Sequence, residues 1–172
     1  MRLSETVEWG LHACLALATL PAGTQMPARY ISEYHGLKPA YLSKAMHKLA
    51  AAGIVLSVEG RSGGLSLARP ASQITMLQIV DALEGMTGFF RCTEIRQRGP
   101  CAATRKHYKK PCGIARIMRQ ADAAWRGVLA GTTLEDLKQT IFAQPIEGVV
   151  EATQSWIERT GALRRSAGKG SS

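Results

Sequence analysis

The chain has 172 residues, 45% of them hydrophobic and 20% charged, and its formal net charge is +9. This composition is ordinary for one globular domain with a short extension, and it excludes a bilayer-spanning protein because no apolar run is long enough. The basic balance indicates an anionic partner, for which nucleic acid is a better candidate than an anionic membrane surface.

The first predicted element is an amphipathic helix over residues 5–20, with Ser4 as its N-cap. Two acids, Glu5 and Glu8, precede its apolar run, whereas a secretory signal peptide requires a positively charged start. We therefore expect a cytoplasmic protein with no membrane partner. In that compartment, the four cysteines indicate metal or redox chemistry more than a structural disulfide.

The next segment predicts a helix-turn-helix. A short helix over residues 27–34 is followed by the turn His35-Gly36-Leu37 and by a second helix that starts at Pro39 and runs to about Ala52. An ordinary helical hairpin with a solvated charged face is the alternative for this segment alone. If the second helix reads DNA, its polar side supplies the candidate contacts: Lys38, Tyr41, Ser43, Lys44, His47 and Lys48.

A β-hairpin follows the helix-turn-helix and makes it a winged helix. The apolar runs 54–58 and 65–67 predict two strands, which a glycine-rich turn joins. Arg61 lies at the tip of this predicted wing, where a guanidinium would contact the phosphate backbone or a minor groove.

The remaining chain is predicted to be helical on both sides of a cysteine-rich loop. A helix that ends before Gly85 completes the winged-helix domain, residues 1–85, and Thr132 with Glu135 predicts a capping box for a short later helix. We expect four further regions: a cysteine loop at 86–113, a dimerisation helix (114–129) with the short helix up to 140, a C-terminal extension at 141–165 with a helix near 146–160, and a disordered tail at 166–172.

The loop concentrates thiols in a cationic segment. Residues 91–113 contain Cys92, Cys101 and Cys112 with seven Arg or Lys residues, His107 and a single acid, Glu94. A cationic environment favours the thiolate, which is a metal ligand, a nucleophile or a disulfide partner. Structural zinc favours closely spaced cysteine pairs, which this loop lacks, whereas a metal-free thiol–disulfide switch fits the same residues as well as a metal does.

The whole pattern resembles the iron–sulfur winged-helix transcription regulators of the IscR and NsrR type, and within them the redox-sensing regulator RsrR. The resemblance covers about residues 1–140 and rests on five segments in the same order: SETVEWGLHACLALA, YLSKAMHKLAAAGIVLSVEGRSGGLSLARP, ITMLQIVDALEG, the three-cysteine loop and TLEDL. It implies a mainly α fold with a small β-wing, a winged helix-turn-helix plus a long dimerisation helix. It also implies a homodimeric regulator, not an enzyme, that binds a two-fold site on double-stranded DNA.

The resemblance further implies a cluster beside the DNA-binding domain of the partner subunit. In related regulators an acid at the position of Glu8 reaches that cluster, and His12 lies one helical turn later on the same face. Loop gaps of eight and ten residues differ from the short gaps of the family and disfavour a four-iron site. We therefore expect a shared [2Fe-2S] cluster with these ligands: Cys101 and Cys112 from one subunit and Glu8 and His12 from the other, with Cys92 as a third candidate thiol.

Such a site predicts a redox sensor. A neutral imidazole in place of a thiolate raises the reduction potential, so the cluster would cycle readily by one electron. Trp9 follows Glu8 directly and is the candidate switch, although packing is the more common role of a tryptophan in an amphipathic helix. We expect a repressor. Nitric oxide and iron–sulfur status are the alternative signals for the same cluster.

Overall fold

The computed structural model describes residues 3–60, 63–85 and 88–165, and it is mainly helical with a small β-hairpin. The predicted fold class is confirmed. The helices and strands, in chain order, are α1 Glu5–Ala18, β1 Thr24–Gln25, α2 Ala28–Tyr34, α3 Pro39–Ala51, β2 Val55–Val58, β3 Gly64–Leu67, α4 Met76–Glu84, α5 Gly113–Ala130, α6 Leu134–Ala143, α7 Val149–Thr160 and β4 Arg164–Arg165. No helix in the described residues is both long and apolar enough to cross a membrane.

The core lies where α1 crosses α3, α4 and α6. Ile31, Leu42, Leu49 and Ile79 are among its fully buried side chains. The crossing is close because α1 has a glycine at the contact: a Cβ on Gly10 would meet Leu83 Cδ1 of α4. Cys14 is also fully buried, and burial raises the pKa of its thiol to about 12.

The helix-turn-helix and the wing are found where the sequence predicts them. Gly36 takes a φ of 63° in the turn between α2 and α3, a conformation that glycine adopts without strain. Strands β2 and β3 pair antiparallel from Val55–Leu67 to Val58–Gly64. The predicted tip residue of this wing, Arg61, lies outside the described residues.

Two predicted helix caps are wrong in detail. Ser4 occupies the N-cap position of α1, but its side chain makes no capping hydrogen bond, and its backbone N–H instead donates to Glu84 Oε1 at 2.8 Å. The capping box of α6 is formed by Thr133 and Asp136, one residue later than predicted. The shift arises because Thr132 serves the previous elements: its carbonyl accepts the N–H of Met76 at 2.9 Å, and its hydroxyl donates to the carbonyl of Val128 at 3.1 Å.

The C-terminal extension folds back onto the helix-turn-helix. Trp156 of α7 lies against the rings of Tyr30 and Tyr34 on α2, at centroid distances of 6.1 and 5.5 Å. Strand β4 pairs antiparallel with β1, which bridges to the wing through Met26 and Leu65. For this region the sequence predicts only a helix. It does not predict that the extension contacts α2 and pairs with β1. The predicted disordered tail, 166–172, lies outside the described residues.

Candidate metal and DNA-binding sites

Glu8 and His12 lie on the exposed side of α1, one helical turn apart, and both line two cavities. The larger cavity, of about 640 Å³, is bounded by apolar side chains of α1 and α6, including Leu11 and Leu137. The smaller, of about 230 Å³, is lined by Glu8, Trp9, His12, His35 and Leu37. The two candidate ligands on α1 therefore share a recessed surface that faces solvent.

His35, interpreted from the sequence only as a turn residue, belongs to this surface. It follows the last residue of α2, and its ring centroid is 5.7 Å from that of His12. Its Nε2 atom is buried and has no hydrogen-bond partner among the described residues. Burial and then the charge of His12 lower the pKa of His35. No sequence signal identifies His35 as part of this surface, because its place there depends on how α1 packs beside the turn.

Trp9 connects this surface to the candidate recognition helix. The Trp9 side chain is half-buried, and its ring lies 5.5 Å from the ring of Tyr41 on α3, at an interplanar angle of 35°. Tyr41 itself is 48% exposed and lies on the side of α3 predicted to read DNA. A rotation of Trp9 would therefore act on a residue of the predicted DNA-binding surface.

The predicted DNA contacts form one exposed face of α3. Lys48 is the one whose hydrogen bonding differs from the expectation, since its Nζ donates to the carbonyl of Leu83 at 2.7 Å and helps satisfy the end of α4. One of the three N–H donors of its ammonium is therefore used inside the fold, and two are left for other contacts. The predicted contacts that are exposed in the structure are Lys38, Tyr41, Ser43, Lys44, His47 and Lys48.

Cys112 occupies the N-cap position of α5. The backbone N–H groups of Ala115 and Ile114, followed by the charge of Arg96, lower the pKa of its thiol. The helix start thus stabilises a thiolate at this position, which is the form that binds metal or attacks a disulfide.

Cys92 and Cys112 share the neighbourhood of one arginine. The Sγ atom of Cys92 lies 3.8 Å from Glu94 Oε1, and Arg96 Nε donates to the second oxygen of Glu94 at 2.7 Å. Glu94 above all, with smaller contributions from Cys112 and Cys92, raises the pKa of Arg96. Cys101 is exposed. Within one chain, Cys92 and Cys112 therefore both lie near the Arg96 guanidinium. The predicted ligand pair, Cys101 with Cys112, stays a prediction.

The loop around these thiols is held by side chains that the sequence analysis did not single out. The hydroxyl of Tyr108 donates to the carbonyl of Arg96 at 2.8 Å and accepts the N–H of Ala103 at 2.9 Å. Arg96 also donates to the carbonyl of Lys110 at 2.6 Å. The one available signal was Glu94, because a single acid among seven cations is a natural hydrogen-bond centre.

Within the described part of one chain, the thiols are not assembled with Glu8 and His12. The residues that line the two α1 cavities include no cysteine. In the same residues, no three His, Cys, Asp or Glu side chains converge in a way that would hold a metal ion. A cluster with all four predicted ligands would therefore need side chains from two copies of the chain.

The comparisons with known proteins decide the family. Residues 3–140 match the Rrf2 family model, which is described as an iron-dependent transcriptional regulator. The chain belongs to the Rrf2 family. The resemblance found in the sequence is confirmed at this level, and the chain is a winged-helix transcriptional regulator. The match ends at residue 140, so that α7 and β4 of the C-terminal extension lie beyond it.

Solved structures of Rrf2-type regulators have the same fold. An IscR from T. potens is 26% identical with a TM-score of 0.64, covering 88% of this chain and 96% of its own. The oxidised form of CymR from Staphylococcus aureus is 26% identical with a TM-score of 0.61, covering 80% of this chain and 96% of its own. CymR of B. subtilis, a global cysteine regulator, is 24% identical with a TM-score of 0.66, covering 81% and 98%. The nearer likeness to RsrR stays a prediction.

Proposed function

We propose that this Rrf2 protein is a cytoplasmic, redox-sensing repressor whose homodimer holds a [2Fe-2S] cluster between its subunits. Cys101 and Cys112 of one subunit and Glu8 and His12 of the other are the proposed ligands. Cys92 is the alternative thiol, and its common neighbourhood with Cys112 makes it a serious one. The protein acts by binding DNA and not as an enzyme.

The observation that carries this proposal is the position of Glu8 and His12. Both side chains line open cavities on α1, and Trp9, which follows Glu8 in the sequence, has its ring 5.5 Å from that of Tyr41 on α3. A change at the two candidate ligands therefore has a short physical route to α3. A loop stabilised only by its cysteines or by zinc would not involve Glu8 and His12, and it would not account for their position beside the Trp9–Tyr41 contact.

The proposed ligands are of the kind that a [2Fe-2S] cluster binds. Thiolates and imidazole are the ligands that iron–sulfur centres use, and the N-terminus of α5 favours the thiolate form of Cys112. When bound, the cluster supplies a one-electron redox centre. The protein residues supply its charge environment: the loop carries seven Arg or Lys residues, which favour an anionic cluster and stabilise its reduced form more.

The second copy is expected to contact the exposed apolar side of α5. Ile114, Ile117 and Val128 are 67%, 53% and 70% exposed there, whereas Trp125 and Leu129 pack against the core. A homodimer of winged helices binds a two-fold operator on double-stranded DNA, with half-sites roughly 34–36 Å apart. Lys38, Lys44, Lys48 and Arg61 are the proposed phosphate contacts, and Tyr41, Ser43 and His47 face the base edges.

The decisive experiment is anaerobic purification with iron and sulfide analysis and visible spectroscopy. Wild-type protein should contain two iron and two sulfide per shared site and bleach with dithionite. Alanine variants of Glu8, His12, Cys112 and one of Cys92 or Cys101 should lose the absorption, while Cys14→Ala, at a buried position, should keep it. A colourless wild-type protein without iron would overturn the proposal.

Trp9→Ala tests the signalling route separately from cluster binding. The variant should keep the cluster but lose most of the difference in DNA affinity between the oxidised and reduced states. Trp9→Phe, which retains a ring against Tyr41, is the matched control and should keep part of that difference. An unchanged redox response in Trp9→Ala would show that the tryptophan only packs.

A metal-free thiol–disulfide regulator is the second candidate. It is favoured by the shared neighbourhood of Cys92 and Cys112 around Arg96 and by the relative solved in an oxidised form. A peroxide would accept two electrons as the two thiols lose two protons and form one S–S bond, with water as the product. Mass spectrometry of peroxide-treated protein distinguishes the candidates, because only this one predicts a stoichiometric Cys92–Cys112 bridge that alters DNA binding without iron.

A further inference from the structure

The imidazole of His35 is half-buried, with its Nε2 atom shielded from solvent. It follows α2 at the turn of the helix-turn-helix, and its ring faces two neighbours. The centroid of His12 is 5.7 Å away on α1, and that of Tyr34 is 4.9 Å away in an edge-to-face arrangement. The Nε2 atom has no hydrogen-bond partner among the described residues although it is shielded from solvent.

A buried polar atom without a partner costs free energy, so it is normally retained for a reason. A neutral imidazole has one N–H donor and one acceptor nitrogen. In the neutral tautomer that carries its proton on Nδ1, the Nε2 atom of His35 is an acceptor. Its unpartnered Nε2 is then available as a hydrogen-bond acceptor beside the cavity that Glu8 and His12 line.

A histidine that binds metal through one nitrogen usually donates its other N–H to an acceptor, which fixes its tautomer and orientation and raises its basicity. We propose that His35 is the positioning residue of His12: its Nε2 accepts the ring N–H of His12 when His12 binds the cluster. This inference rests on the proposed function. In this arrangement His35 holds the ring of His12 from the side away from the cluster, and the hydrogen bond gives the buried Nε2 atom of His35 a partner.

The position of His35 gives this hydrogen bond a consequence for DNA binding. The His35 backbone N–H donates to the carbonyl of Ile31 at 3.2 Å, so the residue is part of the end of α2. The next residues, Gly36 and Leu37, lead into α3, and Leu37 lines the same cavity. A ring movement of His12 is therefore communicated to the turn that sets α2 against α3, independently of the Trp9–Tyr41 contact.

The test compares the reduction potentials of cluster-loaded His35→Leu and His35→Gln with the wild type. Leucine removes the acceptor and should raise the midpoint by about a tenfold change in the redox equilibrium, ~59 mV for one electron. Glutamine places an amide oxygen near the position of Nε2 and should restore most of the wild-type potential. His47→Leu controls for the loss of a histidine as such: because His47 is a proposed DNA contact, this variant should bind DNA more weakly, but the reduction potential of its cluster should not move.

The outcomes separate this inference from the function on which it rests. If the wild type loads a cluster but His35→Leu has the wild-type potential, His35 does not position His12 while the proposed function stands. The same conclusion follows if His35→Gln shifts the potential as far as His35→Leu does, because a merely structural role would not distinguish an acceptor from its absence. If the wild type takes up no iron and sulfide, both proposals are wrong.

Discussion

Arg126 of α5 and Asp81 of α4 form a two-pronged ion pair, in which the guanidinium donates to both carboxylate oxygens at 2.8 and 2.7 Å. Helix α5 buries only Ala115 completely, and Trp125 and Leu129 also pack against the core. The pair is half-buried, and its fork geometry fixes the orientation of α5 as well as its position. The apolar side of the helix, which includes Ile117 and Val128, stays exposed.

Removing this pair should loosen α5 without unfolding the winged helix. Asp81→Asn keeps the shape of the side chain but removes its charge, and we expect a thermal midpoint lowered by a few degrees and faster amide exchange along α5. Glu135→Gln is the matched control, because it removes an ion pair with Lys138 within a single helix. Equal effects of the two substitutions, measured by calorimetry and hydrogen exchange, would contradict the attaching role of Asp81.

The exposed apolar side of α5 predicts which substitution would disrupt the proposed dimer. Ile117→Lys places a charge in the interface expected there, and because an unpaired charge is costly to bury, dimer affinity should fall at least about tenfold. Ala123→Lys adds the same charge at an exposed position about 120° round α5 from Ile117 and should leave the proposed dimer intact. Sedimentation equilibrium checks both, and a dimeric Ile117→Lys protein would refute this interface.

The lowered pKa of Cys112 predicts its reactivity with pH. In iron-free protein with Cys92 and Cys101 replaced by serine, iodoacetamide should modify Cys112 with a half-maximal rate at a pH below the ordinary thiol pKa of about 8.5. The same protein in guanidinium has lost the α5 N-terminus and should show the ordinary value. Since the folded pKa is depressed, the thiolate stabilises the fold above the ordinary pKa, and this contribution is lost as the pH falls through the lowered value. Coincident folded and unfolded profiles would disprove the effect.

The sequence predicts those elements whose signals are local. Pro39 at the start of α3, Gly36 in the turn and the alternating strands of the wing each determine the conformation of a few neighbouring residues. The structure accordingly matches the predicted helix-turn-helix and hairpin closely. The capping box of α6 was misplaced by one residue because Thr132 is used by Met76 of α4, a contact that no local pattern reveals.

The parts that could not be predicted depend on contacts between distant residues. Tyr30 on α2 donates its hydroxyl to the carbonyl of Thr160 at 3.0 Å, across 130 positions of sequence. The closeness of His35 to His12 exists only in the folded chain, where α1 lies beside the turn, so the sequence alone does not predict it. Likewise, Cys92 and Cys112 come near the same side chain, Arg96, through an irregular loop that has no periodicity from which this proximity could be predicted.

The exposed lysines of α3 predict a measurable salt dependence. Lys44→Gln should weaken binding to all DNA sequences by a similar factor, and it should make the slope of log K against log salt less steep by about 0.9, the value for one phosphate contact. Lys138→Gln removes a lysine from α6, away from the proposed DNA surface, and should leave the slope unchanged. Fluorescence anisotropy at several salt concentrations measures both, and equal slopes for Lys44→Gln and the wild type would exclude a phosphate contact.

The C-terminal extension should stabilise the first helix of the helix-turn-helix. Trp156 donates its indole N–H to Glu33 Oε1 at 3.1 Å and packs on Tyr30 and Tyr34. Trp156→Ala should lower the free energy of unfolding by about 1–2 kcal/mol, less than for a fully buried tryptophan because its side chain is half-buried. It should also speed amide exchange in α2 and weaken DNA binding, because α2 supports the turn before α3.

Glu33→Gln is the matched control for this contact, since the amide retains an oxygen that accepts the indole N–H. Urea unfolding and hydrogen exchange should therefore show a much smaller effect for Glu33→Gln than for Trp156→Ala. If Trp156→Ala unfolds like the wild type, the extension does not support the helix-turn-helix. If instead both variants are equally destabilised, the charge of Glu33 matters more than the packing of the ring, and the ring contacts with α2 contribute little.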